Sequence, residues 1–126
     1  MYKTLIIIGL GGFLGSISRY LSQQFLQRFF ETNWPIGTLI VNLLGSFIIG
    51  VIYALAESQS WMNPQWRMFL AVGFCGGFTT FSSFALDGII LARGSALYSL
   101  FLYIGMSVIL GLAATLLGIA LVRYLS

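Results

Sequence analysis

The chain has 126 residues, of which 59% are hydrophobic and only 7% charged, against about a quarter charged in soluble domains. That composition excludes a soluble globular protein, and what lies between the apolar stretches is too short for a catalytic, nucleotide-binding or DNA-reading domain. The six Lys and Arg against three Asp and Glu are spread without a polybasic run, so no nucleic acid is a predicted partner and no lipid switch is read.

Four apolar stretches follow one another, each long enough as a helix to cross about 30 Å of hydrocarbon at about 1.5 Å per residue. The first covers about residues 4–27, after Met1-Tyr2-Lys3. It continues past signal-peptide length to Phe30 without a small-residue cleavage site, which marks a retained span. The second covers about residues 37–56; before it Pro35 suits a helix start and Trp34 an interface anchor. The third covers about residues 65–91, after the loop from Glu57 to Pro64. The fourth covers about residues 96–121, after the turn Arg93-Gly94-Ser95 and before Arg123-Tyr124. A chain this short cannot close a barrel and its runs lack the alternation of barrel strands. The predicted fold is therefore an all-α membrane protein, with one four-helix transmembrane domain over residues 1–126.

An even number of spans places both termini on one side of the bilayer. Lys3, Arg67 and Arg123 then share the terminus side, Arg28 and Arg93 the other, with Arg19 in or near the end of the first span. Such a small imbalance leaves two outcomes open under the positive-inside rule, one fixed topology or insertion both ways round.

With one cysteine, Cys75, and no histidine, disulfide frameworks, zinc sites and histidine-based acid–base chemistry are absent, and no enzyme is expected. The chemistry must lie in polar groups within the spans. Thr38, Asn42 and Ser46 recur every four residues and share a helix face, as do Tyr103, Ser107, Gly111 and Thr115. Interhelical hydrogen bonds of about 0.6 kcal/mol each are one reading of these stripes. Asn42 stands apart, because an amide in hydrocarbon needs several partners. Arg19 is the one charge deep in a span; it is a functional candidate unless it snorkels to the interface. Asp87 falls near the end of the third span, and no carboxylate falls clearly at mid-membrane. A path rich in donors and poor in carboxylates suits an anion.

The segment Gly73-Phe74-Cys75-Gly76-Gly77-Phe78-Thr79-Thr80-Phe81-Ser82-Ser83-Phe84 is a poor helix interior by propensity. It predicts a third helix broken near mid-membrane, a feature tolerated where protein or water surrounds it; a continuous Gly-rich helix is the alternative. Its phenylalanines follow three- and four-residue spacing, ordinary for packing, yet a phenyl edge is electropositive and can face an anion. Gly11 and Gly15, Gly73 and Gly77, and Gly12 and Ser16 lie four apart, a spacing that lets helices approach closely within one bundle or between subunits. Four helices enclose little beyond their own side chains, so an oligomer is favoured.

Three motifs, Gly11-Gly12-Phe13-Leu14-Gly15 with Arg19-Tyr20, Gly37-Thr38-Leu39-x-Val41-Asn42-x-x-Gly45-Ser46, and Gly76-Gly77-Phe78-Thr79-Thr80-Phe81-Ser82-Ser83-Phe84, carry a resemblance over essentially the whole chain. The sequence resembles the CrcB/Fluc family of small fluoride channels. The resemblance implies an antiparallel, dual-topology homodimer in the cell inner (plasma) membrane, with two fluoride pathways and a central structural sodium ion as its cofactor. It also implies that Phe81 and Phe84 turn ring edges to fluoride and that Asn42 is the amide donor beside them. Gly76 and Thr79 would give backbone carbonyls to the sodium from both subunits. Arg19 matches the family's first-span arginine, Thr38 and Ser82 neighbours of the path, and Tyr103, Ser107 and Thr115 a fourth-span polar track. Ser83 stands where threonine is frequent in the family and keeps the hydroxyl.

Two other readings compete with the passive channel. A small four-span dual-topology multidrug exporter needs a carboxylate in its first span, and this chain has none there. A non-transporting membrane scaffold leaves Asn42 and Arg19 without a role.

Overall fold

The computed structural model describes residues 1–94 and 97–126. Helix α1 spans Tyr2–Phe30 and α2 spans Ile36–Ser58. The third span, Pro64–Arg93, is assembled from α3 (Pro64–Arg67), a π-helix (Met68–Cys75), α4 (Gly76–Phe78) and α5 (Phe81–Arg93). Helix α6 spans Leu97–Leu125. Four helical stretches are thus long and apolar enough to cross a bilayer. Each described end reaches slightly beyond its sequence-predicted bound; the expected start of the fourth span at Ala96, and Ser95 of the preceding turn, lie outside the described residues. Arg28, Arg93 and Arg123 occupy last helical turns, where a cation meets the negative end of the helix dipole and favours an extra turn in the interface.

Local chemistry sets the ends. Glu31 takes a left-handed conformation, φ 47°, and stops α1. Gln27 holds the following loop, donating from Nε2 to the carbonyls of Trp34 at 3.0 Å and Thr32 and accepting at Oε1 from the Gly37 N–H at 3.3 Å. Asn63 caps α3 by accepting from the Trp66 N–H at 3.0 Å, with Pro64 at the first helical position.

The helices pack through glycine. An added Cβ on Gly11 would strike the Phe69 carbonyl, one on Gly73 would lie 2.9 Å from the Gly11 Cα, and one on Gly77 would lie 2.6 Å from the Gly12 carbonyl. The four-apart small residues therefore join α1 to the third span inside one chain, and they make no case for a second subunit. A Cβ on Gly118 would collide with the Phe47 carbonyl and one on Gly50 with the Thr115 carbonyl, so α2 and α6 also approach backbone to backbone.

Thr79 (φ −84°, ψ 156°) and Thr80 (φ −149°, ψ 116°) have extended dihedrals between α4 and α5. The third span as a whole keeps one course with a bend of 17°. Only 6% of the most apolar window of α6, and 11% of that of α1, is buried within the chain, so their outward faces are left for hydrocarbon or for another chain.

Candidate functional site

A recess of about 450 Å³ lies between α2, the third span and α6. Asn42, Ser46, Gly76, Thr79, Thr80, Phe81, Phe84 and Ser107 line it, and no charged residue does. Asn42 and Thr80 hold each other across it: Asn42 Nδ2 donates to the Thr80 carbonyl at 3.0 Å, and the Thr80 N–H donates to Asn42 Oδ1 at 2.7 Å. The side chain thereby pairs with extended backbone as a neighbouring strand would. An amide nitrogen carries two hydrogens, so one remains to donate into the recess. The Thr80 hydroxyl accepts from the Ser83 N–H at 3.1 Å and starts α5, with Ser82 Oγ 3.3 Å from it.

The rings continue from this point towards Tyr103 and Asp87. Phe81, 79% exposed, lies with its centroid 5.6 Å from that of Phe84, and Phe84 lies 5.2 Å from Tyr103. Tyr103 is fully buried; its hydroxyl donates to Asp87 Oδ2 at 3.2 Å, and Trp34 meets its ring edge-on at 5.4 Å. Ser107 sits one helical turn after Tyr103. Its Oγ is buried and has no hydrogen-bond partner, alone among side-chain N and O atoms of the described residues.

The remaining predicted residues lie outside the recess. Thr115 approaches two carbonyls, Ser46 and Gly111, each at 3.1 Å, which makes it a tie between α6 and α2 outside the recess. Thr38 is buried, accepts from Gln23 Nε2 at 3.1 Å and lies beside the Tyr103 hydroxyl. Arg19 donates from Nε to the Gly77 carbonyl at 2.9 Å, where α1 meets the third span, and does not line the recess.

A family profile described as CrcB-like protein, Camphor Resistance (CrcB), matches residues 6–119. The chain belongs to the CrcB-like family. Relatives of this CrcB-like chain include one from Leptospira interrogans, 44% identical over 96% of this chain and 95% of its own length. Another, from Chlorobium chlorochromatii, is 46% identical over 97% and 94%, and one from Flavobacterium psychrophilum is 39% identical over 98% and 99%. Each bears the name Fluoride-specific ion channel FluC. The CrcB-like chain is a multi-pass membrane protein of a channel family and not an enzyme.

The residues expected to hold sodium suit such an ion. In a continuous helix the Thr80 N–H would bond the Gly76 carbonyl; here it is taken by Asn42, which frees that carbonyl oxygen. Thr79 leaves the helical region at the same place. Gly76 and Thr79 both line the recess, and an added Cβ at Gly76 meets nothing within 4 Å. Neutral carbonyls are ligands for hard cations, and no group of three or more His, Cys, Asp or Glu that could hold a metal occurs among the described residues. Two carbonyls fall short of the roughly six oxygens a hard cation takes, so a bound ion would need further ligands from a second chain or from water.

Sequence reasoning missed Thr80 as the partner of Asn42, because a backbone group leaves no mark in residue type. It also passed over Gln23 and Gln27, which brace Thr38 and the first loop in the CrcB-like chain. Their four-residue spacing inside an apolar span was the available signal.

Proposed function

We propose that this CrcB-like chain is a passive, fluoride-selective ion channel of the inner membrane, through which fluoride leaves the cytoplasm down its electrochemical gradient. The working unit is an antiparallel dual-topology homodimer with two pathways and a central structural sodium ion. The observation that carries this reading is the uncharged recess in which the second Asn42 amide hydrogen, the unpartnered Ser107 hydroxyl and the rings of Phe81 and Phe84 converge. A small, strongly hydrated anion must exchange water for several aimed donors yet be held weakly enough to leave. Hydroxyl, amide and phenyl edge supply that weak, repeated solvation. The sodium, bound through Gly76 and Thr79 carbonyls, supplies a fixed positive potential that does not titrate. The interruption at Thr79 and Thr80 turns the carbonyls towards that ion and the ring of Phe81 towards the path. The names borne by the relatives support fluoride as the ion.

The test is fluoride efflux from liposomes holding the purified protein, with chloride as paired control and no proton gradient. Rapid fluoride release with chloride retained is expected. Release only under a proton gradient, or none from folded protein, overturns the reading.

A further inference from the structure

A second, smaller crevice of about 240 Å³ lies on the terminus side between α2 and the start of the third span, lined by Ile49, Ile52, Tyr53, Glu57, Arg67 and Ala71, with Ala56 between. It shares Ile49 and Ala71 with the larger recess. The residues facing this groove keep helical spacing along its whole length. Arg67, Ala71, Cys75 and Thr79 recur every four residues on the third span, and Asn42, Ser46, Ile49, Tyr53 and Glu57 every three or four on α2. The two cavities adjoin at Ile49 and Ala71 and together trace a furrow from the Asn42–Thr80 clamp to the terminus-side mouth. Arg67 and Thr79 stand twelve positions apart along the third span.

Charge at that mouth is unequal. The Glu57 carboxylate pairs with Arg123 at 3.6 Å, with Tyr53 beside it. That ion pair is the only one among the described residues, so Arg67 has no carboxylate partner there. It stands at the open end of a furrow whose middle is walled by Ile49, Ile52 and Ala71, and low-dielectric walls focus the field of a charge along the cleft.

We propose that Arg67 is an anion-collecting residue. It concentrates a small monovalent anion at the terminus-side mouth and delivers it along the furrow to the recess at Asn42. This rests on the channel reading above and adds to it the entry site. Ala71 keeps the furrow open; Glu57 is neutralised so that it does not repel the incoming anion.

The experiment compares full-length wild-type chain with Arg67→Lys, Arg67→Gln and Arg67→Glu in liposomes. It reads the initial rate of fluoride efflux at low and high ionic strength, adjusted with a large impermeant organic salt. The Debye length is about 30 Å at 0.01 M and about 3 Å at 1 M, so a field acting over the furrow is present in the first condition and screened in the second. At low ionic strength the expected order is wild type equal to R67K, then R67Q about threefold to tenfold lower, then R67E lower still; the lower figure lies below and the upper at the edge of the range for focused charge. At high ionic strength the four rates should converge. Equal rates in all variants at low salt, or a deficit that persists undiminished at high salt, overturns the proposal, the second because a structural defect is not screened. Arg67 is exposed, so all three replacements should fold, and the Lys–Glu pair decides the matter if R67Q does not. Wild-type fluoride release is read in the same set, so failure of the channel reading shows in the wild type and failure of this proposal only in the variants.

Discussion

Asn42 and Thr80, 38 residues apart in sequence, are bonded at both ends of one amide, at 3.0 and 2.7 Å. The pairing holds the bent third span from the side: it satisfies the extended backbone of Thr80 and removes the donor that would have covered the Gly76 carbonyl. One side chain on α2 thus fixes the recess-facing geometry of the third span.

Replacing Asn42 by Ala removes both bonds and leaves two backbone groups of Thr80 unpaired. A loss of about 1–3 kcal/mol in stability is expected, with fluoride efflux falling at least about tenfold. Thermal unfolding in detergent and liposome efflux check the two effects. Wild-type efflux from a folded N42A chain would show that the amide serves packing alone.

Ser107→Ala separates conduction from stability more sharply. The buried Ser107 Oγ has no partner, and an unsatisfied buried hydroxyl costs about 1–3 kcal/mol. The variant should therefore unfold at the same temperature or higher while conducting fluoride more slowly. A lowered midpoint would mean that the hydroxyl is bonded in the assembled protein.

Phe81 is largely exposed, so Phe81→Ile removes a ring edge with little loss of packing within the chain. Assembly should persist while fluoride efflux is abolished or strongly reduced, and Phe84→Ile should behave alike. Unimpaired efflux in both would remove the rings from the path.

Gly118→Ala pushes a methyl group into the Phe47 carbonyl. A cost of about 1–3 kcal/mol is expected from overpacking, seen as a lower unfolding midpoint and less monodisperse protein. Gly9→Ala and Gly105→Ala, where an added Cβ meets nothing within 4 Å, are the controls and should hold or raise the midpoint, since alanine is the better helix former by about 1 kcal/mol.

Placing lysines at Gln59 and Ser60 adds charge to one set of loops only. If mixed insertion underlies the active dimer, tag accessibility should shift to one orientation and efflux should fall; unchanged mixed orientation would count against charge control.

The four spans, their order and the stripes holding Asn42 and Ser107 were legible in the sequence. Hydrocarbon thickness and helical rise convert apolar length into a crossing without reference to any neighbour. The glycine pairs were legible as close contacts, though not which helices they join: identical spacing serves packing within a chain or between chains, and only the contacts of Gly11 with Gly73 and of Gly118 with Phe47 settle it for this bundle. Thr115 and Ser107 share one stripe on α6, and residue type does not distinguish them. One hydroxyl meets carbonyls at 3.1 Å and the other is left without a partner. The pairing of Asn42 with the Thr80 backbone and the tilted contact of the Tyr103 and Phe84 rings likewise depend on how α2, α5 and α6 cross. Sequence carries what one helix does against a bilayer; what a side chain finds opposite it is decided by the neighbouring helix, because partners far apart in the chain meet only after packing.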